Sequence, residues 1–287
     1  MNNCSICNNE LKFIFSTKDY LVSGETFDIL ECNSCFLRIT NPFPDKQNIG
    51  NYYLSDDYIS HNNEGTGFLD NVYSFVRSYQ LKKKKKLIEK YYYKDTKKIL
   101  DIGCGAGDFL EIMKKGDWDI YGVDTSKKVR EIVKNKLKIE IMDPDSWIKS
   151  DIKYDVITCW HSLEHVHEPW VYLKKIKESL NPGGILIIAL PNYHSTDAKR
   201  YREHWAAYDT PRHLYHFTKQ SIINIIHPHG FNIQSIYRMN FDPFYVSILS
   251  AAHMGKSIIH GLINGFNSWA LSIISKNKCS SLIFIIK

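Results

Sequence analysis

Asp101-Ile102-Gly103-Cys104-Gly105-Ala106-Gly107 is the stretch that decides how this chain of 287 residues is read. It directly follows a short apolar run, Lys98-Ile99-Leu100-Asp101-Ile102, that reads as a strand, and it opens a helix over 108–115. Glycines in such a turn let the backbone bend sharply and let a ligand lie against bare main chain. A second strand over 119–123 ends just before Asp124, seventeen residues after Gly107. A carboxylate in that place can accept hydrogen bonds from both hydroxyls of a ribose. A Gly-rich turn alone is weak evidence, but strand, turn, helix, strand and acid in this order form a much stronger pattern. It is not the dinucleotide pattern G-x-G-x-x-G, because the third glycine arrives one residue early and an Asp precedes the first.

The alternation continues downstream. A helix over 126–136 and a third strand over 139–142 are followed by a fourth strand over 154–159. A helix over 170–180 is stopped by Asn181-Pro182-Gly183-Gly184, and a fifth strand over 185–190 ends at Pro191. A helix over 218–227 with Thr218 as N-cap, a sixth strand over 231–237 and a seventh over 281–286 complete the series. The fold class expected is α/β, a Rossmann-like seven-stranded, mostly parallel sheet with helices on both faces. Residues 97–287 form this domain, with a helical insertion at about 238–280.

Asp-x-Gly-x-Gly-x-Gly resembles the first motif of class I S-adenosylmethionine (SAM)-dependent methyltransferases. Tyr154-Asp155 through Trp160-His161-Ser162-Leu163-Glu164-His165 is similar to that family's fourth strand and the turn after it. Leu180-Asn181-Pro182-Gly183-Gly184 through Pro191-Asn192 is similar to its fifth-strand block. The resemblance covers about residues 97–237 and implies a reversed final strand slotted between the fifth and sixth. It also implies that Asp101, Gly103, Cys104, Gly105 and Gly107 cradle the methionine part of SAM, that Asp124 with Thr125 holds the ribose, and that Asp143 borders the adenine. Trp160 and His161 would then line the amino-acid side and the acceptor cleft.

Twelve histidines are many, and they cluster. His161, His165 and His167 follow the fourth strand, and His194, His204, His213 and His216 follow the fifth, both at the carboxyl ends where open α/β sheets bind ligands. His161 or His213 is the expected base, with Glu164-His165 supporting the turn. The segment from Trp205 to Thr218, containing Tyr208, Arg212, His213 and His216, reads as an acceptor lid, with Arg212 available to a substrate anion. The same segment resembles one in a bacterial subgroup of the family linked to polysaccharide and sugar pathways. A catalytic metal after the fourth strand is not expected, because acids are sparse there.

Cys4-x-x-Cys7 and Cys32-x-x-Cys35, twenty-four residues apart, form a strong structural-zinc pattern in a zinc-ribbon-like module over 1–44. Roughly forty residues build too small a core alone, so the metal would supply folding energy. Residues 45–96 form a connector, with Tyr52, Tyr53, Tyr58 and His61 in a polar stretch and a helix carrying Phe68, Val72, Phe75 and Tyr79 at helical spacing. The run Lys82 to Lys86 in that helix reads as a solvated face.

Seven cysteines and no export signal point to a reducing, cytoplasmic setting. A formal net charge of +6 is mild and calls for no nucleic acid or membrane by itself. The apolar region 244–274 reads as helices with one buried face, a membrane-surface helix being the alternative. The function expected is methyl transfer from SAM to a small polar acceptor, such as a sugar hydroxyl or a natural-product intermediate. The alternatives are an RNA methyltransferase, favoured by the lysines but not by Trp160-His161-Ser162-Leu163, and a SAM-binding scaffold without catalysis.

Overall fold

The computed structural model describes residues 3–53, 68–93 and 95–287, with only the backbone over 68–75. The readings of Tyr58 and His61, and of the side chains of Phe68, Val72 and Phe75, lie outside the described residues.

The central sheet is built from β4 (Lys98–Ile102), β5 (Asp119–Val123), β6 (Tyr154–Trp160), β7 (Leu180–Pro191), β9 (Ile233–Arg238) and β10 (Ser281–Ile286). Their order is β5-β4-β6-β7-β10-β9. The pairs β4–β5, β4–β6 and β6–β7 are parallel, whereas β10 runs antiparallel to both of its neighbours. The reversed final strand therefore sits where the family resemblance puts it. All seven residues of β6 are buried, as a strand covered on both faces requires. The expected third strand contributes only one bridge, between Val123 and Met142. The chain leaves the sheet there because Asp143 caps α4 (Pro144–Lys149), and a proline at the first helical position has no N–H to donate to a ladder.

Helices α1 (Phe68–Tyr91), α2 (Asp108–Lys114), α3 (Lys127–Leu137), α5 (Pro169–Ser179) and α7 (Lys219–Ile226) accompany the strands. Apolar clusters fill both faces of the sheet, one around Trp147, Ile157, Leu186 and Phe284, the other around Ile88, Phe109, Val156 and Ile187. Between β9 and β10 lie α8 (Asp242–His253) and α9 (Ile258–Ile274), a helical hairpin. Among the described residues, no helix is long and apolar enough to cross a membrane.

The N-terminal residues form an antiparallel sheet of β1 (Leu11–Lys18), β2 (Thr26–Cys32) and β3 (Arg38–Asn41). A fourth strand, β8 (Tyr215–His216), comes from the loop after β7 and pairs with β3 through Arg38–His216 and Ile39–Tyr215. The segment following β7, which also holds the short helix α6 (Thr196–Tyr201), is thus spent largely on joining the two sheets.

Candidate active site

The glycine turn sits at the carboxyl end of β4. Gly103, Gly105 and Gly107 have φ of +75°, +49° and +76°, a region costly for side chains other than glycine. A Cβ on Gly103 would lie 2.5 Å from the Ser162 Cβ, so this glycine lets the turns after β4 and β6 touch. Gly105 differs: nothing lies within 4 Å of where its Cβ would stand, which leaves bare backbone facing open space. The Gly105 N–H donates to Asp124 Oδ2 at 3.1 Å, and the Ser126 N–H donates to Oδ1 at 2.9 Å. Each oxygen keeps acceptor capacity beyond that one bond. Thr125 is exposed beside it, and Asp143 caps α4 through the Ser146 N–H. Cys104 turns its side chain away, into the core against Gly122.

Asp101 is buried and takes a 2.6 Å hydrogen bond from the Thr158 hydroxyl. Burial pushes its carboxyl up to about 7, against the opposing pull of Thr158 and Lys84. Lys84 corrects the reading of the lysine run as wholly solvated. Its ammonium lies 4.4 Å from the Trp160 ring centre and faces Asp101 and Asp242, while burial pulls its pKa down. The signal was present: Leu81, Lys84 and Ile88 recur at helical spacing, and Ile88 is fully buried. Trp160 packs edge-on to Phe109, and its buried indole N–H has no hydrogen-bond partner.

His161 follows β6 with φ of +54°, an uncommon conformation for a side-chain-bearing residue and one that marks functional turns. Its Nδ1 lies 3.3 Å from Glu164 Oε1 and its Nε2 lies 3.5 Å from Asp242 Oδ2. Burial disfavours its cation, but these two carboxylates outweigh it and raise His161 to about 9. Asp242 is the last acid in the chain and the first residue of α8, so residues eighty-one positions apart converge here by topology alone.

His165 and His213 lie behind this pair, with ring centres 4.6 Å apart. Their Nδ1 atoms face the carbonyls of Arg212 at 3.0 Å and Ala207 at 2.9 Å. Burial, aided by the charge of His213, pushes His165 down to about 4. Glu164 is fully buried, and neither of its oxygens accepts a well-aligned hydrogen bond. One ligand atom each from Glu164, His165 and His213 lies within 4.8 Å of the others, close enough for a single cation to reach all three.

The reading of residues 205–218 as an acceptor lid is corrected for three side chains. Arg212 is 1% exposed and donates to Asp19, to Asp209 and to the Tyr52 carbonyl, so its guanidinium is committed inside the protein instead of being presented to a substrate anion. Tyr208 is buried and accepts from Arg38 at 2.7 Å. His216 is buried 3.0 Å from the Thr40 hydroxyl, which itself donates to the His213 carbonyl. All three belong to the seam between the two sheets. His213, 9% exposed with Nδ1 facing the Ala207 carbonyl, shares that seam, whereas His161 precedes Ser162, the residue that Gly103 packs against.

In the N-terminal sheet the Sγ atoms of Cys4 and Cys35 stand 3.6 Å apart and those of Cys7 and Cys32 stand 3.3 Å apart, with all four within 4.8 Å. Four thiolates around zinc at about 2.3 Å would lie roughly 3.8 Å from one another. The cluster is compatible with a zinc module.

A family model described as a methyltransferase domain matches residues 74–236, more than half of the chain, from within α1 to within β9. The chain belongs to the SAM-dependent methyltransferase family. Among solved structures it is similar to magnesium protoporphyrin IX methyltransferase from Synechocystis PCC 6803 with bound SAH, with a TM-score of 0.55, 14% identity, and coverage of 84% of this chain and 99% of that one. The cyclopropane synthase MmaA2 from Mycobacterium tuberculosis gives a TM-score of 0.52 at 14% identity over 86% of this chain and 99% of that one. At such identity these likenesses concern the fold. Among curated proteins, the ubiquinone biosynthesis O-methyltransferase of Coxiella burnetii is 31% identical over 114 residues, which is 37% of this chain and 49% of that protein. That of Pelagibacter ubique is 37% identical over 102 residues, covering 33% and 42%. The chain therefore matches about half the length of these relatives.

Proposed function

We propose that the protein transfers a methyl group from SAM to a hydroxyl of a small acceptor. The observation that carries this reading is His161, held between Glu164 and Asp242 beside the glycine turn. The cofactor fits the residues present: open space over Gly105, spare acceptor capacity on Asp124, and the unpartnered indole N–H of Trp160. Asp101, Gly103, Gly105 and Gly107 would hold its amino-acid part, Asp124 and Thr125 its ribose, and the backbone near Asp143 its adenine. Bound SAM supplies an electrophilic methyl on a good leaving group, so holding the acceptor in line does much of the work. His161, with Nδ1–H toward Glu164, takes the hydroxyl proton at Nε2, and the Glu164 and Asp242 carboxylates stabilise the imidazolium that forms. The O-methyltransferase names of the curated relatives support a hydroxyl acceptor; sugars, nucleotide-linked sugars and phenols are the classes to screen.

The test is the pH dependence of turnover, read as SAH release across that panel. With a base raised to about 9, the rate should climb through neutral pH and level off near that value. Asp242→Asn removes an anion that favours the imidazolium, so the limb should move to lower pH. His161→Ala should cost about 100-fold or more in kcat. Full activity in His161→Ala, or a limb that does not move in Asp242→Asn, would reject this assignment.

We further propose that the four cysteines hold one structural zinc. Because β8 completes their sheet, the effect of metal loss should reach beyond residues 1–44. Cys32→Ser or a strong chelator should release one zinc per chain and lower the melting temperature. An unchanged metal content in Cys32→Ser would overturn the assignment.

A further inference from the structure

Helix α9 is built inside out. A surface helix normally turns its large apolar residues inward and its small polar ones outward. In α9 the buried residues are Gly261, Asn264, Gly265, Ser268 and Ser272. A Cβ on Gly261 would stand 2.6 Å from the Ile248 Cα, and one on Gly265 would stand 2.8 Å from the Phe244 Cα. The backbones of α8 and α9 are thus in close contact, and the large side chains have no room on that side. They point outward instead: Ile258 is 60% exposed, Ile259 64%, Leu262 44%, Ile263 58%, Phe266 55% and Ile274 80%. Tyr245 and Leu249 on α8 extend the patch at 50% and 37%. Scattered exposed aliphatics are ordinary, but a continuous face of them on adjoining helices marks a surface that meets something apolar.

The charge around this face selects what it meets. From Pro243 to Lys287 the chain has no Asp or Glu, yet it carries Lys256, Lys276, Lys278 and Lys287. Lys256 stands just before α9, and Lys276 and Lys278 stand just after it; all three are exposed. Aliphatic side chains bracketed by lysines, with no acid among them, complement an anionic lipid surface: the face enters the boundary region and the ammonium groups meet the headgroups. A second copy of this chain would bring the same positive sign against itself.

We propose that the α8–α9 hairpin seats the protein on anionic membrane surfaces, with α9 lying in the plane of the interface. The hairpin begins at Asp242, which touches His161, so the seated face and the candidate active site share one helix. An amphiphilic acceptor held in such a membrane would be presented beside that site.

Co-sedimentation with vesicles tests this without turnover, so it stands or falls apart from the methyl-transfer assignment. The full chain, zinc-loaded, is mixed with vesicles of phosphatidylcholine alone or of phosphatidylcholine and phosphatidylglycerol in equal parts. The expected result is pelleting with the anionic vesicles that weakens with added salt, and little with the neutral ones. Ile259→Asp with Ile263→Asp should lower partitioning at least tenfold, and Lys256→Glu with Lys278→Glu should do so on anionic vesicles only. Both positions in the first pair are solvent-exposed, so circular dichroism and zinc content should not change. Failure to pellet with either vesicle overturns the proposal. So does a dimer in vesicle-free solution that Ile263→Asp dissociates, which would make the face a homotypic interface.

Discussion

Arg212→Ala is expected to destabilise the protein by about 3–5 kcal/mol, because it strands the buried carboxylate of Asp19 and takes the ion-pair partner from the half-buried Asp209. The guanidinium is 1% exposed and bridges Asp19 Oδ1 at 2.9 Å and Asp209 Oδ1 at 2.7 Å. Asp19 is fully committed as well, accepting from the backbone of Leu21, Val22 and Ser23, so it cannot swing out to water when its partner goes. Burial opposes the charge on Asp19, yet the Ser23 N–H and the Arg212 guanidinium hold its carboxyl below the usual range. Such a group contributes stability that is present above the unfolded pKa and is lost as pH falls through the lower folded value. In Arg212→Ala that contribution shrinks, and acid unfolding should begin at higher pH. Arg212→Lys keeps the charge but not the planar fork, and should recover only part of the loss. Urea unfolding midpoints of the three proteins measure this. If Arg212→Ala unfolds like the parent and only raises KM for the acceptor, Arg212 is a substrate contact after all.

Asp124→Ala should weaken SAM binding roughly 100-fold or more, since on the proposed ribose assignment it would remove two charge-assisted hydrogen bonds. Calorimetric titration gives the number directly. The variant also frees the N–H groups of Gly105 and Ser126, so Asp124→Asn is the needed companion: it keeps acceptor capacity at that place and should lose less. Burial raises Asp124 above an ordinary carboxylate, so affinity in the parent should fade as pH falls, starting at a higher pH than a solvent-exposed Asp would give. A fade of that kind absent from Asp124→Asn would tie it to this carboxylate. Undiminished SAM binding by folded Asp124→Ala would remove the ribose assignment and, with it, the orientation of the cofactor proposed here.

Local pattern was enough for those features that depend on neighbours in the chain. The glycines of the turn, Asp124 at the end of its strand and the paired cysteines are readable because each requirement, a positive φ or a chelate spacing, acts over a few residues. Alternation of strand and helix then implies the parallel sheet, and the reversed β10 followed from family resemblance rather than from its own residues. The stretch 139–142 shows the limit of such reading: its composition suits a strand, but Asp143 and Pro144 start a helix before a ladder can form.

Tertiary structure alone decided which polar side chains face a cleft and which face another sheet. Tyr208, Arg212 and His216 look like a binding segment in one dimension, because polar and aromatic groups are what binding segments contain. They are buried because β8 pairs with β3, a contact between residues more than 170 positions apart that no local signal encodes. The same long-range closure carries Asp242 to His161 and Lys84 to Trp160, which creates the charge pattern of the candidate site. It also turns α9 over. Apolar periodicity says that a helix has an apolar face, but only the close approach of Gly261 and Gly265 to α8 determines that this face looks out.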